Sequence, residues 1–206
     1  MGLSLVTAPS VLPVSVEEVK QHLRITHDDE DTMIYALISA ATDYAQEFTK
    51  RQFITATYDL TLHAFPPAGK WYLDPSGWAY LDTEIVIPKP PLQSITSITY
   101  VDMEGNSQTV SSSIYSVDIN VDPGRVRLAY NQTWPSTRHQ PNAVTIRYVC
   151  GYGTISSVPE VIKAALKLYV GTLYEHREHV ITGTIIADVP DAMKALLNSA
   201  KVVRLI

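Results

Sequence analysis

The run His27-Asp28-Asp29-Glu30-Asp31 sets four consecutive carboxylates behind a histidine. Residues of these types hold divalent cations or move protons, so chemistry is sought here first. Spacing argues against it. Successive residues on a helix point about 100° apart, so four in a row do not converge on one ion. No second carboxylate cluster with histidine partners is visible elsewhere in the chain. The same residues suit a helix start. Asp28 is placed to be an N-cap, with Asp29, Glu30 and Asp31 in the first turn. There carboxylates meet unpaired N–H groups and the positive end of the helix dipole, worth roughly 0.3–1 kcal/mol each. The run is read as the opening of a helix, with an exposed acidic surface as its by-product.

Other candidates fare no better. His176 and His179 stand three apart, whereas the zinc-binding HExxH pattern needs four with a glutamate after the first. Ser111-Ser112-Ser113 has no base placed beside it by spacing. No GxSxG, P-loop or GxGxxG pattern occurs, and Gly151-Tyr152-Gly153 suits the end of a strand. Cys150, the one cysteine, lies in an apolar run and is read as a small buried residue; it also excludes an internal disulfide. No catalytic residue, metal or cofactor is expected. The segment 66–84 stands apart, with Trp71, Tyr72, Trp78 and Tyr80 around an Asp-Pro-Ser-Gly turn. Its aromatics either pack back onto a sheet or project from a hairpin to bury against another protein, as tryptophan and tyrosine do at interface hot spots. A sugar-stacking platform is the alternative use of the same rings, and a metal-dependent hydrolase built on residues 27–31 is a more distant one.

Composition narrows the class. The 206 residues are 46% apolar, enough for a sizeable core. The formal charge is −5, and the densest basic clusters, at 50–51 and 125–127, are short. Tight sequence-independent DNA binding relies on neutralised phosphates and is disfavoured. The longest apolar runs fall far short of the ~20 residues of a membrane span. The start of the chain has neither a basic leader nor a continuous apolar run, so no secretory signal is expected, and a reducing cytoplasm is the expected folding compartment.

The elements follow from periodicity. Ser15 with Glu18 makes a capping box and opens a helix over 15–25. Met33, Ile34, Leu37, Ile38, Ala41, Tyr44, Ala45 and Phe48 recur at three- and four-residue steps, giving a second helix over 29–50. Between 53 and 153 about six short alternating segments separated by turns predict antiparallel strands, with Pro88, Pro90 and Pro91 at an edge or corner. Pro159 opens a helix over 159–178, and a last short helix begins near Asp191. Helices, then strands, then helices make an α+β pattern with segregated classes. A core over 1–178 is expected, followed by a C-terminal arm over 179–206.

Along nearly its whole length the chain resembles a known family. The quoted order is PVSVEEVKQHLRITHDDEDTMIYALISAATDYAQEFTKRQFITATYDLTL, IPKPPLQSITSITYVDMEGN, WPSTRHQPNAVTIRYVCGYG and VPEVIKAALKLYVGTLYEHRE. These segments are similar to the head–tail connector (adaptor) proteins of tailed bacteriophages, of the phiE125 gp8 type and related to the HK97 gp6-like connectors. The most specific parts are the acidic helix opening with Phe48-Thr49-Lys50-Arg51 at its close, the PPLQSITSI strand entry, and the junction from GYG to VPEVIKAAL. The aromatic segment 66–84 is longer than the usual link at its place.

The resemblance implies a structural role in the virion neck, without enzymatic activity. The protein would be made in the host cytoplasm and then form a ring of identical subunits, twelve by family expectation, under the portal. It would extend the DNA channel and dock a neck, stopper or tail-completion protein. DNA would pass without specific binding, and no membrane is involved. The arm over 179–206 is then the portal-contacting element, with Val180, Ile181, Ile185, Ile186, Val202, Val203, Leu205 and Ile206 as its apolar contacts. Tyr35, Thr42 and Gln46 on the outer face of the second helix, with Trp71, Tyr72, Trp78 and Tyr80, are candidates for the subunit or neck-protein interface. Asp28, Asp29, Glu30 and Asp31 are expected on the exposed or channel-facing surface.

Overall fold

A computed structural model of the chain describes residues 1–66, the backbone of 71–73 and 79–81, and residues 84–176 and 191–202. The fold is α+β, and the described chain gathers into two units. Neither unit is continuous in sequence. One consists of Pro9–Ile54 and Tyr152–Val202; the other contains Met1–Ala8 and Thr55–Gly151.

The first unit is helical. Helix α1 (Val16–Leu23) opens on the capping box its spacing predicts. The Ser15 hydroxyl accepts from Glu18 N–H at 3.1 Å and the Glu18 carboxylate accepts from Ser15 N–H at 2.9 Å, so two orphan donors are satisfied. Helix α2 (Asp31–Thr49) buries Ile34, Ile38, Ala41 and Ala45, one row at steps of four, three and four, and ends at left-handed Lys50. Helix α3 (Glu160–Glu175) follows Pro159 and buries Ile162, Ala165, Leu166 and Val170. Helix α4 (Asp191–Ala200) adds Met193 and Leu197 to the same cluster, together with Phe53 from the chain leaving α2. Thus α4, which falls within the expected arm over 179–206, packs in this core alongside α2 and α3.

Helix α2 begins later than its acidic run predicts. Glu30, not Asp28, is its N-cap, and no side chain caps it. The carboxylates have other partners. Lys20 on α1 takes both Asp28 and Asp31, the latter at 2.8 Å, and the Tyr174 hydroxyl of α3 donates to Glu30. Tertiary partners outcompete the helix's own first-turn amides.

Among the described residues, the second unit is a β-structure of ten strands. They are β1 (Gly2–Thr7), β2 (Ala56–Leu62), β3 (Trp71–Leu73), β4 (Ala79–Leu81), β5 (Ile85–Val86), β6 (Leu92–Val101), β7 (Ser107–Thr109), β8 (Tyr115–Asp118), β9 (Arg125–Leu128) and β10 (Val144–Cys150). Antiparallel pairing builds a five-stranded sheet in the order β1-β2-β10-β6-β7, a three-stranded sheet β5-β9-β8, and the hairpin β3–β4. Ile146 lies opposite both Leu60 and Ile98, and all three are fully buried. With Tyr148, Val126 and Ile87 they form the second core. The three prolines make the corner that leads into β6. There Tyr148 donates its hydroxyl to the Pro88 carbonyl at 3.0 Å, and Gly151 N–H donates to the Pro91 carbonyl at 2.9 Å.

Alternation places Asp59 and Arg147 on the polar face of this sheet. They are cross-strand neighbours, and the guanidinium binds the carboxylate through two bonds of 2.8 Å. These bonds hold the Asp59 carboxyl below its ordinary range, against the opposing effect of partial burial. A depressed carboxyl contributes stability that is present above its unfolded value, near pH 4, and is lost as pH falls through the folded value. Asp59→Asn is therefore expected to be less stable than the parent at pH 7, with the gap closing below about pH 4. Urea unfolding at a series of pH values checks this, and a gap independent of pH would refute it.

The chain starts with a strand where the sequence predicts a helix as its first element. In β1, Leu3 pairs with Leu60 and Leu5 with Tyr58, so both leucines extend the apolar face of the sheet. They nevertheless remain 41% and 51% exposed. Six residues with no turn signal before them carry too short a pattern to identify a strand.

Candidate functional site

Chemistry in the acidic run is replaced by local ion pairing. Asp28 and Asp29 are exposed, whereas Glu30 and Asp31 are half-buried against the helices. The Lys20 ammonium lowers the Asp28 carboxyl from its ordinary range, and Asp28 and Asp31 in turn raise the lysine. Among the described residues, no three His, Cys, Asp or Glu side chains gather so as to hold a metal ion. Cys150 is fully buried, and that burial pushes its thiol up to about 12, so it stays protonated at neutral pH. Ser111 and Ser113 bond to each other at 2.9 Å in an exposed loop. His176 caps the end of α3 through its N–H to the Thr172 carbonyl at 3.0 Å. Among the described residues, no helix is long and apolar enough to cross a membrane.

What the molecule does offer is apolar surface. Of the three α2 residues expected on its outer face, only Tyr35 is exposed, at 56%. Thr42 is buried, and its hydroxyl donates to the Ile38 carbonyl at 2.7 Å. Gln46 is half-buried, and its side-chain carbonyl accepts from Phe53 N–H at 3.1 Å. The apolar face of α2 is wider than its strongest residues indicate, because neighbours cover its flanks, and both side chains bond within the subunit's own fold.

The segment 66–84 contains the hairpin its turn predicts. Trp71 pairs with Leu81, Tyr72 with Tyr80 and Leu73 with Ala79. The side chains of Trp71, Tyr72 and Tyr80, and Trp78 altogether, lie outside the described residues, as do Val180, Ile181, Ile185, Ile186, Val203, Leu205 and Ile206. Val202 is half-buried, with its N–H on the Thr49 carbonyl at 3.0 Å.

Several exposed apolar groups escaped the sequence reading: Leu3, Leu5 and Val6 on β1, Tyr130 in a turn, and Val161 and Leu168 on α3. Leu3 and Leu5 share a parity, and Val161 and Leu168 are seven apart on one helical stripe, so the spacing was there. Nothing in the sequence distinguished an exposed stripe from a buried one.

The likeness to known proteins agrees with a scaffold that offers surface. The family model for the phage gp6-like head–tail connector protein matches residues 13–123, more than half of the chain. No curated protein matches significantly. Among solved structures, a chain from the neck of an empty gene transfer agent (GTA) particle, computed with C6 symmetry, is 22% identical with a TM-score of 0.76. One from the virion of a native GTA particle is 22% identical at 0.75, and one from the neck of a native GTA particle with C12 symmetry is 22% identical at 0.74. In each case the likeness covers 100% of this chain and 98% of the other. At this identity the structures establish a shared fold, and the match over residues 13–123 establishes the family: this chain is a member of the phage gp6-like head–tail connector proteins.

Proposed function

We propose that the chain is the repeating subunit of a ring at the head–tail junction of a tailed phage or phage-like particle, with a structural and not an enzymatic role. The family match over residues 13–123 carries this reading. The C6 and C12 symmetry with which the similar neck structures were computed supports a ring, and twelve copies is the number we adopt. Ring closure needs two different surfaces on each subunit. Tyr35 on α2 and the β3–β4 hairpin with Trp71, Tyr72, Trp78 and Tyr80 supply our candidates. Residues 179–206, which include α4, are the segment that contacts the portal. The opposite surface receives a neck, stopper or tail-completion protein. Asp28 and Asp29 contribute an exposed acidic surface toward the channel, where carboxylates repel phosphates and let DNA pass without binding.

Negative-stain imaging of the purified protein, alone and with its cognate portal, tests the reading. Rings with a central hole, free or capping the portal, are expected. Monomers under both conditions would overturn it.

A further inference from the structure

The end of α4 and the two residues after it meet the end of α2 through three contacts. Arg51 Nε donates to the Ala200 carbonyl at 2.5 Å. Val202 N–H donates to the Thr49 carbonyl at 3.0 Å. Lys201 Nζ stands 4.9 Å from the centroid of the Phe48 ring. All the α2-side partners fall within Phe48–Arg51, the segment that closes the helix. Lys50 adopts a left-handed φ of 60°, which ends α2 there, so Arg51 belongs to the chain leaving the helix.

These contacts answer a specific weakness. Helix α4 has ten residues, too few to persist without tertiary support. Met193 and Leu197 fix its buried side. Its last four carbonyls have no intrahelical donor, and its C-terminal end carries partial negative charge. A guanidinium on the Ala200 carbonyl meets both needs, and a charge-assisted bond is stronger than a neutral one. The Lys201 ammonium over an aromatic face and the Val202 N–H on Thr49 then hold the chain for two residues beyond the helix.

We infer that Phe48, Thr49 and Arg51 form a clamp that fixes the root of the C-terminal tail, so that the chain beyond Val202 starts from a defined point on the helical unit. Arg51 is a positioning residue in this device. The clamp rests on the contacts above; its use in assembly rests on the proposed portal-contacting role of residues 179–206. A docking segment with a fixed root loses less conformational freedom when it binds, so the clamp raises the affinity of whatever the tail contacts.

Hydrogen exchange on the full-length protein tests this, with Arg51→Ala, Arg51→Lys and Val202→Pro beside the parent. Amides of the last turn of α4 are expected to exchange at least tenfold faster in Arg51→Ala, with partial rescue in Arg51→Lys. Amides of α2 between Ile34 and Ala45 should keep the parent's protection. Val202→Pro removes the N–H that reaches Thr49 and restricts the backbone of Lys201 before it, while changing no residue of α2, so it tests the clamp if Arg51→Ala fails to fold. Unchanged exchange at the end of α4 in Val202→Pro and in a folded Arg51→Ala would overturn the clamp. Portal capping by the same rings, counted in negative stain, is expected to fall several-fold with Arg51→Ala. Faster exchange with undiminished capping would keep the clamp and overturn the portal role of residues 179–206.

Discussion

Alanine at both Trp71 and Trp78 is expected to abolish ring formation while leaving the subunit folded. The backbone of β3 and β4 forms a closed two-stranded hairpin with Tyr72 opposite Tyr80. An isolated hairpin is marginal in water, and four large aromatics around one turn are costly to leave in solvent. On the proposed reading, an assembly contact is what buries them. Interface tryptophans commonly cost about 2–4 kcal/mol each when truncated, so the double variant should weaken subunit association by well over a hundredfold, roughly. Among the described residues, Leu60, Ile98, Ile146 and Tyr148 anchor the core of the sheets, and Ile34, Ile38 and Phe53 that of the helices. Light scattering should therefore report monomers whose circular dichroism matches the parent. Rings at the parent's concentration would remove the hairpin from the interface. Loss of the far-ultraviolet signal would instead return the tryptophans to the fold.

The second large effect is on stability. Phe53→Ala should destabilise the protein by about 3–5 kcal/mol, a fall of roughly 10–20 °C in the unfolding midpoint of the chain. Phe53 is fully buried among residues from both sequence segments of that unit. Its backbone is also fixed on both sides: N–H to Gln46 at 3.1 Å, and carbonyl to Tyr152 N–H at 3.0 Å. With the backbone held, the surroundings have little freedom to collapse into the space the ring leaves, which places the cost toward the upper part of the range. Tyr35→Ala, at an exposed position of α2, should stay within about 0.5 kcal/mol of the parent when unassembled. Calorimetry of both variants makes the comparison. Equal midpoints for Phe53→Ala and the parent would contradict the packing described for this core.

Membership of the connector family also changes how the acidic run is understood. A metal site would draw Asp28, Asp29, Glu30 and Asp31 to one point. Instead Lys20 and Tyr174 take three of them in two directions, and Asp29 remains exposed. The run ties the start of α2 to α1 and to α3, and what remains for other molecules is an acidic surface.

Local signals by themselves determined much of this protein. The capping box at Ser15 and Glu18, the α2 row from Ile34 to Ala45, the proline before α3, the alternating strands and the turn within 66–84 are all features of a few neighbouring residues. Each follows from backbone hydrogen bonding or side-chain periodicity, which act over short separations. Order along the chain likewise sufficed for the α+β class and the family. The tertiary structure decided the rest, because it depends on residues far apart in sequence. That the sheet unit is inserted between two halves of the helical unit is invisible to periodicity. So are the sequestration of Thr42 and Gln46, the shift of the α2 start to Asp31, and the use of Leu3 and Leu5 as a sheet edge. Arg51 reads as a cation suited to the end of its own helix. Only packing brings it to Ala200, 149 residues later, where it serves the end of another.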